Sequence, residues 1–241
     1  MNLLAVRKKV VQTAGRYDLV VDSVDYVDNG MDFFINAGMN MLDRLVNIPE
    51  SFARLYYTLS SGEYSLAFKF NCRYITDVWI NDDEERFQIE KISLDILRDY
   101  YNEPATSTTY GTPTAFAIAN LRALETTDKD SLATFIDKTW AEDDTKYDYR
   151  GIILSPPADK DYIVEISGMF KQVPLAVDAD ENYWTIQESD LLVRAALYKL
   201  EAFSRGTENA KNWLSAIYED IRQIDLDIAA EESHGINQLN G

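Results

Sequence analysis

Residues Asp178-Ala-Asp-Glu-Asn-Tyr-Trp-Thr185 mark the point where the pattern of this chain changes. Before them the residues alternate as strands do, and after them they repeat at helical spacing. Oxygen-bearing side chains at every second position (Asp178, Asp180 and Asn182) also match the opening of a calcium loop. The rest of that loop is wrong. Tyr183 stands where the turn glycine belongs, Ser189 where the bidentate glutamate belongs, and Glu188 is one place early. The preceding Lys171–Val177 run holds a proline and β-branched residues instead of an entering helix. The stretch therefore reads as a turn whose acidic side chains accept backbone amides. Tyr183 and Trp184 bring two aromatic rings to it, suited to core packing, a domain junction or an intersubunit seam.

On the C-terminal side, a helix is predicted from Ser189 to Ser204, with Ser189 as N-cap and Gly206 as the residue that ends it. A second helix is expected from about Glu208 to Glu232 on a stripe of Trp213, Leu214, Ile217, Ile221, Ile224 and Ile228. At the other end of the chain, Val6, Val10, Val11 and Ala14 form a helical stripe closed by Gly15. A turn at Asp28-Asn29-Gly30 leads into a helix from Met31 to Val46 with Gly38 on or beside its apolar face, and Pro49 stops it.

Between the two helical ends the residues alternate. Ala53–Leu59 and Tyr64–Phe70, joined by Ser60-Ser-Gly-Glu63, read as a hairpin. Tyr74–Ile80 adds a strand, Phe87–Tyr100 reads as a flanking helix, and Glu103–Ala115 as a loop. The Ala115–Leu124 segment fits either a strand or a short helix. Arg150–Asp159 and Asp161–Leu175 read as strands about Pro156-Pro157. The expected class is α+β: a helical bundle formed by the N- and C-terminal helices, residues 1–50 with 182–241, and an inserted antiparallel β-rich unit, residues 51–181.

The chain has 241 residues, 46% of them hydrophobic, enough for one large domain or two smaller units. No apolar run approaches the roughly 18–20 residues needed to span a bilayer, and the start lacks the pattern of a signal peptide, so no membrane is expected as a partner. The single Cys72 has no internal disulfide partner, which suits synthesis in the cytosol. Formal net charge is −18, the wrong sign for gripping phosphates. That acidity serves solubility, or keeps nearby DNA from sticking.

Phosphate-loop and dinucleotide glycine motifs are absent from the sequence. The only histidine, His234, lies in a polar tail, which removes histidine triads and histidine zinc sites together. Acidic pairs such as Asp82-Asp83 read as solvated loop charge. No catalytic residue, cofactor or metal is expected, although a carboxylate-only hydrolase remains an alternative class.

The run Asp178–Ile221 resembles tailed-phage head-to-tail adaptor proteins, also called head-completion or neck connector proteins. The likeness lies in an Asn-Tyr-Trp segment, then Leu191-Leu-x-x-Ala-Ala-Leu-Tyr-x-Leu-Glu201, an arginine-containing turn at Arg205, and a helix bearing Trp213. Upstream, Gly15–Asp22, the Asp-Asn-Gly turn with Phe34–Arg44, Gly111–Ala119 and Pro156–Phe170 follow in the order such adaptors show. The resemblance implies a virion structural protein and no enzyme. It implies a ring, twelve copies as a rule, that docks beneath the portal protein and extends the DNA channel. A tail, nozzle or further neck protein docks below, and DNA passes without sequence-specific binding. The expected location is the neck of the virion, after synthesis in the host cytoplasm.

In that light Tyr183, Trp184, Arg194, Arg205 and Trp213 are candidate subunit or domain interface residues, the two arginines by pairing with a neighbour's acidic side chains. Ile236 and Leu239 are the apolar anchors of the Ser233–Gly241 tail that would reach the portal. Another neck, tail-completion or stopper component is the alternative reading.

Overall fold

The computed structural model describes residues 1–68, 72–82, 85–100, 110–120 and 150–238. In chain order the elements are α1 (Leu3–Ala14), α2 (Met31–Leu45), β1 (Phe52–Leu59), β2 (Ser65–Phe68), β3 (Cys72–Asn81), β4 (Arg86–Gln88), β5 (Glu90–Lys91), α3 (Leu94–Tyr100), β6 (Ala115–Asn120), β7 (Arg150–Ser155), β8 (Tyr162–Phe170), α4 (Tyr183–Ile186), α5 (Ser189–Phe203) and α6 (Thr207–Gln238). The class is mixed α+β. The chain divides into two compact units, one made of Met1–Ser51 with Lys171–Gly241 and the other of Phe52–Phe170.

In the helical unit, α1 starts on Asn2, whose side chain accepts the Ala5 amide, and stops at Gly15 in the left-handed region at φ 66°. Asp28 accepts the amides of Gly30 and Asp32 and so covers the start of α2. Central α5 lies against α1, α2 and α6. Val6 and Val10 of α1, Ile35, Met39 and Leu42 of α2, Leu192 and Ala196 of α5, and Ile217 of α6 share one core. Each such large aliphatic side chain removed from water stabilises by roughly 1.5–3 kcal/mol, set against the ordering entropy of its residue. Where α2 crosses α5, a Cβ on Gly38 would stand 2.8 Å from the backbone of Ala195 and Ala196. Only glycine lets the helices approach so closely.

Residues 171–181, assigned above to the β-rich part, belong to the helical unit. Two polar side chains of α2 hold them: Asp43 Oδ2 accepts the Gln172 amide at 3.0 Å, and Asn36 exchanges hydrogen bonds with both backbone groups of Leu175. Two helix ends also differ from expectation. Ser189 is the first helical residue, and the N-cap is Glu188, whose side chain makes no capping bond. The second C-terminal helix continues to Gln238, so the polar residues expected as a tail are helical that far.

In the β unit, two four-stranded sheets run in the orders β1-β8-β3-β4 (sheet I) and β2-β7-β6-β5 (sheet II). All pairs are antiparallel except β5 with β6. Val78, Ile80, Val164 and Ile166 of sheet I share a core with Leu66, Phe116, Ile152 and Leu154 of sheet II. The other face of sheet II carries Ala117, Ala119 and Ile153, packed with Leu97 of α3. Covered on both faces, β7 reads Gly-Ile-Ile-Leu, a near-continuous apolar run.

The predicted hairpin of β1 with β2 does not form. The Ser60–Glu63 turn exists, with Glu63 donating its amide to the Ser60 carbonyl and Gly62 at φ 87°. It carries the chain from sheet I to sheet II, so β1 pairs with β8 and β2 with β7. Residues 156–161 make the reverse crossing beside it. The corners are laced by the Gly62 amide to the Ala158 carbonyl at 2.7 Å and the Ala158 amide to the Glu63 carbonyl at 3.0 Å. The two strands about Pro156-Pro157 likewise lie in different sheets. Nor is Phe87–Tyr100 one helix: β4 and β5 occupy its first part, and the helix begins at Leu94. Ala115–Asn120, open to two readings in sequence, is strand β6, while Leu121–Leu124 lies outside the described residues.

Candidate interface site

The Asp178–Thr185 stretch acts as a cap. The carbonyls of Asp178 and Asp180 accept the Leu4 and Leu3 amides, two of the donors that the first turn of α1 leaves without helical partners. Asp180 Oδ2 accepts the amides of Ala176 and Val177, and those bonds hold its carboxyl below the usual range. Asn182 and Thr185 exchange side-chain and backbone hydrogen bonds in a capping box for α4. Asp178 Oδ1 stands 2.8 Å from the Arg7 guanidinium. The carboxylates thus take backbone amides and an arginine. Among the described residues no group of three or more histidine, cysteine, aspartate or glutamate side chains is placed to hold a metal ion.

Arg7, followed in the chain by Lys8 and Lys9, is a buried anchor. Its Nε and Nη2 donate to the two Asp32 oxygens at 2.7 Å each, and Nη1 donates to the Tyr26 carbonyl at 2.9 Å. Burial works against the charge, but the hydrogen bonds that Arg7 donates to Asp32 and Asp178, with their negative charges, outweigh it and raise the pKa. This one side chain joins α1, the loop before α2, the first turn of α2 and the Asp178 turn.

Trp184 is 0% exposed, and its indole Nε1 donates to buried Asp43 Oδ1 at 2.7 Å. It is a core residue, closed to a neighbouring chain, because its polar handle is satisfied inside the same unit. Half-buried Tyr183 meets it edge to face at 5.1 Å. Trp213 packs its partly buried ring against the same core. Arg194 bonds Asp220 across α5 and α6, which answers its charge within the chain. Glu188 lies among Asp220, Asp227 and Asp190. Burial first, then those like charges, push its carboxyl up.

Arg205 is exposed and takes the left-handed position, φ 64°, expected of Gly206. The Gly206 amide reaches back to the Glu201 carbonyl at 2.9 Å, closing α5 in a Schellman-type turn. A Cβ on Gly206 would stand 2.1 Å from Glu201 Oε2, so the glycine makes room for a side chain while Arg205 takes the turn. Ile236 lies within α6, and Leu239 lies outside the described residues. Of the candidates, the fold gathers Tyr183, Trp184 and Trp213 at one core and leaves Arg205 at the surface.

Sequence reasoning missed the outer face of sheet I. Register there aligns Tyr56, Glu165, Trp79 and Gln88 across four strands. Glu165, only 6% exposed, bonds Arg86 through Oε2, and the Arg86 guanidinium stacks 4.2 Å above Trp79. Oε1 is buried without a hydrogen bond, with Arg54 Nε at 3.4 Å. The sequence signal is weak: one acid among alternating apolar residues of β8. A cleft of about 280 Å³ between Asp77, Gln88, Lys91 and Phe116 borders this face. Exposed aromatics of the β unit include Phe52, Tyr56, Tyr57 and Tyr74, and those of the helical unit include Phe33 and Phe203.

These features define a two-unit α+β protein. No family model matches the chain, and no curated protein matches it. No helix among the described residues is long and apolar enough to cross a membrane.

Proposed function

We propose that this chain is a virion structural adaptor joining the portal to the tail or nozzle proteins, acting as a ring of twelve copies and not as an enzyme. The observation that carries the reading is the ordered set of short motifs over nearly the whole chain, densest in Asp178–Ile221. Consistent with it, the helical unit is assembled from both chain ends and the β unit is inserted between them. In this reading the terminal helices form a bundle that packs against neighbours round the ring. The acidic surface repels passing DNA and keeps it mobile. The protein resides in the neck of the virion.

Within the ring, Arg205 is the candidate cation for a neighbour's carboxylate, since Arg194 is engaged with Asp220. The C-terminal end of α6, with Ile236, is the segment directed to the portal. The test is electron microscopy of the purified chain with and without the portal protein of the same virus. The expected result is added ring density on the portal. Absence of binding would sink the adaptor reading.

A further inference from the structure

Strand β1, Phe52-Ala-Arg-Leu-Tyr-Tyr-Thr-Leu59, is an edge strand: β8 lies on one side, and no strand lies on the other among the described residues. Its outer face is uncovered, and its inner face is covered only where Leu55 and Leu59 pack with the core between the sheets. Phe52, Arg54, Tyr56 and Thr58 are exposed on the outer face, and Ala53 and Tyr57 on the face toward the core side. Natural sheets protect long edges with lysine, proline, bulges or shortness. This one runs eight residues with three aromatics and continuous register along β8. We propose that β1 is the seam of a two-fold dimer, paired antiparallel with β1 of a second copy about Leu55.

The sequence of the strand is complementary to itself in that register. Antiparallel partners must turn their amides toward each other and keep outer side chains together, so the summed positions of an opposed pair are even. Centring on Leu55 sets Arg54 opposite Tyr56 of the second copy, Ala53 opposite Tyr57, and Phe52 opposite Thr58. Each large side chain meets a small one or a cation meets a ring. Centring one residue earlier would oppose two Arg54 charges. Centring one residue later would leave Phe52 without a partner inside the strand.

The same row explains a second-copy occupant rather than an arbitrary peptide. Arg54 of the second copy would lie across Tyr56 from Glu165, two strand spacings or about 10 Å away backbone to backbone, within reach of a long cation and a carboxylate. Glu165 Oε1 is the buried acceptor that lacks a hydrogen bond. A two-fold contact closes on itself and does not propagate round a ring. The pairing therefore belongs to the free chain, is exchanged on assembly, and stands independently of the adaptor reading.

Sedimentation of the purified full chain from micromolar to near-millimolar concentration tests this. The expected result is a shift from the mass of one chain to that of two, and Tyr56→Lys, which opposes Arg54 with a like charge, should weaken dimerisation by about tenfold or more. Leu55→Cys, on the two-fold axis, should give a disulfide-linked dimer on mild oxidation, since the native Cys72 is buried. The Leu55→Cys result decides the matter if Tyr56→Lys disturbs folding. A chain that stays monomeric throughout, a dimer indifferent to Tyr56→Lys in a folded protein, or a dimer that Leu55→Cys cannot link would each overturn the proposal. Portal binding by the Tyr56→Lys chain reports on the adaptor reading separately.

Discussion

Arg7 and Glu165 are both buried charged side chains, one in each unit, and their surroundings differ. Arg7 has both Asp32 oxygens, the Tyr26 carbonyl and Asp178 around it, so its donors are answered from three segments. Glu165 shares one oxygen with Arg86 and leaves the other without a hydrogen bond, beside two arginines that are partly exposed to solvent. A charge answered on every side works as a fastener. One left half answered, on a face with an open edge strand, is available to a partner.

The largest expected effect follows from removing the fastener. Arg7→Ala leaves Asp32 and Asp178 without their cation and should cost about 3–5 kcal/mol, read by urea unfolding. The matching change in the β unit, Glu165→Gln, should cost less than about 1 kcal/mol, because its partners Arg54 and Arg86 are solvent-screened. Equal losses at the two sites would break the comparison.

Between those extremes, Gly38→Ala drives a methyl into the Ala195–Ala196 backbone and should destabilise by about 1–3 kcal/mol. Trp184→Phe keeps an aromatic ring but is smaller than the indole and strips Asp43 of its indole donor, for a loss of about 1–3 kcal/mol or more. Arg205→Gly should act in the other direction. It relieves a left-handed residue and should stabilise the isolated chain by about 1 kcal/mol in thermal melting. If it also weakens ring assembly on the portal, Arg205 is held in its strained turn for contact.

The smallest effect is a pH dependence. The Asp180 carboxyl is held down by the Val177 and Ala176 amides. Its contribution is therefore present above the ordinary aspartate pKa of about 3.9 and is lost as pH falls through the depressed value. Asp180→Ala should flatten acid unfolding in that window and leave the neutral-pH slope alone. Glu188 has the opposite sign. Its raised pKa means the charged form costs stability as pH climbs through that raised value, so Glu188→Gln should stabilise at neutral pH and lose the gain in acid.

Much of the helical unit was legible in the chain. The Val6, Val10, Val11 stripe, the Gly15 stop and the Asp28-Asn29-Gly30 turn are local signals, and the structure uses each where the sequence has it. The Asp178–Thr185 turn was legible too, because its side chains bond amides a few residues away. The interface candidates were less so: an aromatic pair at a junction has the same appearance in sequence whether it is core, like Trp184, or half-exposed, like Tyr183.

What the residues determined by themselves is therefore short in range: where helices begin and stop, which segments alternate, and where turns fall. Tertiary structure decided which strands share a sheet, since β1 finds β8 and β2 finds β7 across about a hundred residues. It also decided that Phe87 lies in a strand, that Arg7 is a buried fastener and that Glu165 is left half answered. Turn and helix signals are carried by bonds between near neighbours. Strand pairing and charge burial depend on groups that meet only when the whole chain has closed.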